Sequence, residues 1–184
     1  DYAYTISSFD DTLAVWDISG HGNPLPVGTY NDSEGDYSLD NAYSVFVSGD
    51  YAYTVSYSDY TLTVFDISDH GNPVPNRTYT DSEGEYSLAG AISVFVSGDY
   101  AYVASHVTDA LVVFDISNIG INPVPVGTYN DSEGDYSLDS VSSVFVLGDY
   151  AYTVSYADAT LAVFNISAHT DQNNQLYTSW FHQT

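Results

Sequence analysis

Residues 44–92 alternate large and small side chains in a pattern that marks four short strands. The first is the apolar run at 44–48, closed by the turn pair Gly49-Asp50. A second covers 51–56, with Tyr51, Tyr53 and Val55 on one face and Ala52, Thr54 and Ser56 on the other. After the polar stretch 57–60, a third strand is expected over 61–67. The loop at 69–73 then leads to a fourth, shorter strand around 77–79. Neither face of the second strand carries a charge, as a solvated sheet face would, so both faces are predicted to be covered. A Tyr/Tyr/Val face fits the gaps of an Ala/Thr/Ser face on a neighbouring sheet.

The unit repeats. Gly-Asp-Tyr-Ala-Tyr stands at Gly49, Gly98 and Gly148, a period of about 50 residues, and the chain opens on Asp1-Tyr2-Ala3-Tyr4. That period suits one four-stranded blade, and the expected fold is all-β: a β-propeller of antiparallel blades at about 1–43, 44–92, 93–142 and 143–184, in one domain. The prolines at 24, 26, 73, 75, 123 and 125 place the fourth strand outermost, because they precede it and proline is tolerated at sheet edges. The Ser-Val-Phe-Val inner strand occurs at 44, 93 and 143 but has no counterpart for the first blade. With residues 176–181 as the last blade's divergent fourth strand, the chain is one strand short of four blades. Either a preceding segment supplies it or a neighbouring chain does, and an open edge of that kind invites pairing between copies.

The third strand reads Leu13-Ala14-Val15-Trp16-Asp17-Ile18-Ser19, and recurs from Leu62, Leu111 and Leu161. Preceded by Gly-Asp-Tyr-Ala-Tyr and followed by Asn-Pro-x-Pro, it resembles the LVIVD repeat family. The resemblance implies propeller-like repeats of bacterial and archaeal surface or secreted proteins, mostly without assigned activity. An acidic insertion lengthens each repeat beyond the family's usual unit.

Charge narrows the partners. Twenty-five acidic residues against one basic residue, Arg77, give a formal charge of −24. That surface repels phosphate backbones and anionic lipids, so neither nucleic-acid binding nor membrane insertion is expected. It attracts cations and requires salt to relieve its self-repulsion. Cysteine and methionine are both absent, which leaves no thiol or thioether to oxidise. An extracellular or cell-surface setting is the expectation.

The strongest candidate site is the acidic loop between fourth and first strands: Asp32, Glu34 and Asp36, then Asp81, Glu83 and Glu85, then Asp131, Glu133 and Asp135. Calcium takes six to eight hard oxygens from a flexible loop, and each of these loops holds a glycine. The turns between second and third strands, with Asp10, Asp11, Asp59, Asp109 and Asp158, are expected on the same face, where carboxylates of two loops can meet. The alternative is a solvated turn that keeps the surface soluble.

Asn31, Asn76, Asn130 and Asn165 head Asn-x-Ser/Thr triplets and are candidate glycosylation sites, should the chain be secreted. Asp17, Asp66 and Asp115 are expected to accept hydrogen bonds from the turn that follows them, with Asn165 able to do the same. His21, His70 and His169 share one offset and are expected as exposed loop residues, while His106 and His182 occur in single copies. Tyr37, Tyr57, Tyr86, Tyr136 and Tyr156 lie near the loops, as packing residues or as platforms for sugar rings.

No nucleophile elbow, zinc-protease helix or phosphate loop is present. The expected function is a non-catalytic structural or adhesive module, with copies of itself as partners. The alternative is a calcium-dependent module that binds a glycan or protein.

Overall fold

A computed structural model describes residues 1–20, 22–32, 39–81, 87–130 and 138–167. Among them lie four antiparallel sheets in chain order. The first blade has β1 (Tyr2–Ser7), β2 (Thr12–Asp17) and β3 (Leu25–Asn31). The second has β4 (Ala42–Ser48), β5 (Tyr51–Ser56), β6 (Thr61–Asp66) and β7 (Val74–Thr80). The third has β8 (Ala91–Ser97), β9 (Tyr100–Ser105), β10 (Ala110–Asp115) and β11 (Val124–Asn130). The fourth has β12 (Val141–Leu147), β13 (Tyr150–Ser155) and β14 (Thr160–Asn165). Each sheet is a simple meander, as expected for propeller blades. β8 lies between β4 and β12, and β1 lies against β4, so the innermost strands follow one another around a common axis.

The inner hairpins turn on two residues, with Gly49 at φ +59° in the first central position. That is the type II′ turn, whose twist matches the strands and whose first position requires left-handed backbone. Gly98 and Gly148 repeat it at φ +56° and +58°.

Blade stacking follows the large-into-small rule. Tyr53, Val55, Leu62 and Val64 on one face of the second blade share a core with Val94, Val96, Ala101, Val103, Ala110 and Val112 on the facing side of the third. Tyr102, Leu111 and Val113 of the third blade pack in the same way on Val144, Val146, Ala151 and Phe164 of the fourth. Leu13, with Tyr4 and Ile6, covers Ala42, Ala52 and Phe65 of the second. Two junctions also carry an edge-on ring pair, Tyr30–Phe65 and Tyr79–Phe114, with centroids 5.1 Å apart at 62°, and the third carries a tilted one, Tyr129–Phe164, at 5.1 Å and 59°.

The outer strands are longer than expected. β7 starts at Val74 and includes Pro75, which faces Phe65 across the ladder rather than preceding the strand. The register shifts between Val64 and Phe65, so a bulge absorbs the residue beside the proline. Proline fits here because the outermost strand needs no second ladder. The same shift recurs opposite Pro26 and Pro125. The divergent fourth strand expected at 176–181 lies outside the described residues.

Candidate functional site

The acidic loops and the turns between second and third strands do share one end of the molecule, where their carboxylates meet on backbone N–H groups. Three successive amides behind the first loop are each claimed by a different aspartate. Leu39 N donates to Asp32 Oδ2 (2.9 Å), Asp40 N to Asp59 Oδ2 (3.0 Å) and Asn41 N to Asp11 Oδ1 (3.2 Å). These carboxylates come from the loop itself, the same blade and the preceding blade, so they tie the neck of the loop to two sheets. Asp40 sits in their midst. Loss of hydration, then the charges of Asp59, Asp11 and Asp32, raise its carboxyl above the ordinary aspartate value.

The third neck repeats this, with Asp139 N on Asp158 Oδ2 (3.0 Å) and Ser140 N on Asp109 Oδ1 (2.8 Å). The second neck differs. Buried Asp81 still accepts Leu88 N (3.0 Å), but Tyr60 and Thr108 occupy the two turn positions. Thr108 Oγ1 instead donates to Ser87 O (2.6 Å), and Gly90 N donates to Tyr57 O of the second blade's turn (3.3 Å) where the other necks use an aspartate.

Of the nine acidic-loop candidates, Asp32 and Asp81 are described, each with one oxygen taken by a backbone amide. Glu34, Asp36, Glu83, Glu85, Asp131, Glu133 and Asp135 lie outside the described residues. Among the described residues no group of three His, Cys, Asp or Glu side chains is arranged to hold a metal ion.

At the opposite end, each third strand closes in an aspartate turn. Ser19 N donates to Asp17 Oδ1 (2.8 Å), Ser68 N to Asp66 Oδ1 (2.9 Å) and Ser117 N to Asp115 Oδ1 (2.8 Å). Asn165 Oδ1 accepts Ser167 N (2.9 Å) and Ser167 Oγ (2.7 Å), so the amide does the carboxylate's work. Hydrogen bonds from Ser19 and Ser68 hold the Asp17 and Asp66 carboxyls below their ordinary value.

The described histidines are more engaged than expected. His70 is half-buried between blades: Tyr4 Oη lies 2.7 Å from its Nδ1, and the Tyr2 ring is 3.8 Å away, centroid to centroid. The equivalent tyrosines of the second blade, Tyr51 and Tyr53, share a core with Ile119, which stands where His70 does one repeat earlier. His106 Nδ1 lies 3.3 Å from Val141 O, across the next junction. His21, His169 and His182 lie outside the described residues.

Asn31 and Asn130 are exposed at the ends of β3 and β11, and Asn31 Nδ2 donates to Asp10 O (3.1 Å). Asn76 is half-buried at the β7 bulge, where Arg77 Nη1 donates to its carbonyl (2.6 Å). Arg77 Nη2 crosses to Gly120 O of the third blade (2.9 Å), a role the sequence did not suggest. Tyr57 stacks with Tyr43 at 5.7 Å, and Tyr156 is exposed. Tyr37, Tyr86 and Tyr136 lie outside the described residues. Burial, with Tyr100 beside it, pushes the Tyr102 phenol up to about 12, in keeping with a packing role.

A shallow cleft of about 290 Å³ opens beside the second blade's aspartate turn, lined by Asp66, Ser68, Asp69, Asn72, Val74, Pro75 and Asn76. Its one hydroxyl, Ser68, donates to Asp66 (2.7 Å), and no imidazole lines it.

The LVIVD repeat model matches residues 1–32, 40–81, 90–131 and 140–176. The chain belongs to the LVIVD repeat family. No curated protein matches it. Among solved structures it is similar to a protein from Lactobacillus plantarum, with 17% identity and TM-score 0.75 over 97% of this chain and 53% of that one. It is also similar to the periplasmic gluconolactonase of Pseudomonas aeruginosa, with 15% identity and TM-score 0.70 over 96% and 52%. A computationally designed protein aligns at 14% identity and TM-score 0.61, over 90% and 86%. The chain thus spans about half the length of the first two, and at these identities the likeness is one of fold.

Proposed function

We propose that this LVIVD-repeat chain is a non-catalytic extracellular structural or adhesive module that works as a subunit of an assembly of its own copies. The observation that carries this reading is the state of the terminal blades. β1 has no strand paired along its inner edge among the described residues, whereas β5 and β9, its equivalents, are paired on both sides. An unpaired edge is a template for a strand from another chain, and complementation between copies is the completion this reading takes. Among the described residues the neck and turn aspartates hold backbone amides, which favours a structural role over a catalytic one. A composition without thiol or thioether and with a single basic residue suits a durable protein outside the cell.

Electron microscopy of the native material tests the reading: fibres or ordered layers are expected, and isolated globular particles would refute it. Because a gluconolactonase shares the fold, hydrolysis of gluconolactone is the appropriate enzymatic control. Turnover would reverse the non-catalytic assignment.

The crowding of Asp11, Asp32, Asp40 and Asp59 favours one second reading, a calcium-dependent module that binds a glycan or protein. A cation near this neck would relieve the repulsion that raises Asp40. Calcorimetric titration with calcium, followed by a glycan array, tests it. No heat and no calcium-dependent binding would exclude it.

A further inference from the structure

We infer that the cleft at the second blade's aspartate turn binds one neutral hexose ring, as a free sugar or as the last residue of a glycan. The inference stands apart from the assembly of copies. It also stands apart from the acidic necks, which lie at the opposite end of the molecule.

The cleft lies where the repeats stop agreeing. Asp66 and Asn72 have counterparts in both neighbouring blades: Asp17 and Asn23 in the first, Asp115 and Asn122 in the third. Asp69 and Asn76 do not. Gly20 and Asn118 stand where Asp69 does, and Val27 and Val126 stand where Asn76 does. The second blade thus adds a carboxylate and an amide to one cleft, and neither flanking blade has that combination. Unlike polar groups that converge where a repeat breaks its symmetry mark a site rather than a packing rule. Arg77 is a third departure, replacing Gly28 and Gly127. Its Nη1 donates to Asn76 O (2.6 Å) and its Nη2 to Gly120 O (2.9 Å), so it fixes the backbone that carries Asn76.

The carboxylates are held in place before any ligand arrives. Asp66 Oδ1 accepts Ser68 N (2.9 Å) and Ser68 Oγ (2.7 Å), and Asp69 Oδ1 accepts Gly71 N (3.0 Å). Neither Oδ2 takes a hydrogen bond among the described residues. Carboxylates only accept, whereas amides both donate and accept, and a ring of hydroxyls requires that mixture. Hydroxyls that donate to a carboxylate make short, strong bonds. Half-exposed Val74 and Pro75 form an apolar wall for the C–H face of the ring. A volume of about 290 Å³ is at the small end for ligand sites, which suits one ring and not a chain. A sugar linked covalently to Asn76 would fill the same space, so this inference assigns Asn76 to the cleft and not to glycosylation.

Saturation-transfer NMR of the full chain with glucose, galactose and mannose tests this, in EDTA to exclude any calcium-dependent site. At least one hexose should bind saturably, with Kd on the order of millimolar for so open a cleft. Asp69→Asn keeps the turn, since Asn118 Oδ1 accepts Gly120 N (3.0 Å) in the same way. Asn76→Val installs the residue that both neighbouring blades carry. Each variant should keep the parent's thermal midpoint and weaken the hexose about tenfold, as loss of one hydrogen bond to a charged or well-placed group does. The ligand is neutral, so affinity should hold from low to high salt. Equal binding of the methyl glycoside marks a glycan terminus as the source, and its loss marks the free sugar. No saturable hexose signal would overturn the inference. Binding indifferent to both Asp69→Asn and Asn76→Val would place the sugar elsewhere and overturn it as well. Binding of glucosamine alone, abolished by salt, would mean charge attraction without recognition of hydroxyls, and would refute it too. None of these outcomes bears on whether copies assemble.

Discussion

Gly90→Ala probes the one neck that has no carboxylates at its turn positions. Gly90 has φ +72°, and a Cβ placed there would lie 2.6 Å from Val107 Cγ2, 2.8 Å from Val107 N and 3.0 Å from Val107 Cβ. Left-handed backbone costs a non-glycine residue about 1–2 kcal/mol. Forcing a methyl group into a filled space costs typically about 1–3 kcal/mol. The lower entropy of the unfolded alanine chain returns about 0.4–1 kcal/mol. The expected net loss is about 2–4 kcal/mol, roughly a 4–16 °C drop in Tm for a chain of this size. Urea denaturation followed by circular dichroism measures it, as a shifted midpoint at constant slope. Val107→Ala in the same background removes the softest contact, Cγ2, at a half-exposed position. It leaves the backbone nitrogen at 2.8 Å, so it should recover less than half of the loss. A Gly90→Ala chain within 0.5 kcal/mol of the parent, or complete recovery by Val107→Ala, would refute the claim that two backbones approach here too closely for a side chain (thresholds on the order of measurement error and of the overpacking range).

Asp81→Ala leaves the Leu88 amide buried without its partner and should cost about 1–3 kcal/mol, more than Asp32→Ala at the more open first neck. Denaturation midpoints rank the two, and the reverse order would contradict the burial argument. Arg77→Ala should loosen the contact between second and third blades by about 1 kcal/mol. The acceptor, Gly120 O, is neutral, so a loss should persist in high salt, where the added self-repulsion of a chain without its one cation is screened. Because Ser68 holds the Asp66 carboxyl below 3.8, the folded state binds that proton less readily than the unfolded chain. Stability from this turn is therefore present above pH of about 3.8 and lost as pH falls through the lower folded value. Asp66→Asn, which keeps the acceptor as Asn165 does, should flatten the acid limb of a Tm-against-pH curve. Asp40, raised by its neighbours, works in the opposite sense, since protonating it favours the fold.

The alternation of large and small residues predicted both the strands and the faces that meet, because a sheet buried on two sides has no room for charge and each face must fill its neighbour's gaps. The aspartate turns were equally legible, since Asp-Ile-Ser places acceptor and donor two residues apart. The neck clamps were not. Asp11 and Asn41 are 30 residues apart, and nothing local links a turn in one blade to an amide in the next. The contacts of His70 and Arg77 were hidden for the same reason: each partner lies on another blade, 66 and 43 residues away.

Local pattern thus determined what each blade is: the lengths of its three inner strands within a residue or two, the glycine of the inner turn, and the unlike character of the two faces. Only the tertiary structure decided what the loop acids do, because their partners are backbone amides brought near by stacking. It also decided how the faces are covered: the Tyr/Val/Leu face of the second blade is buried because the third blade stands against it.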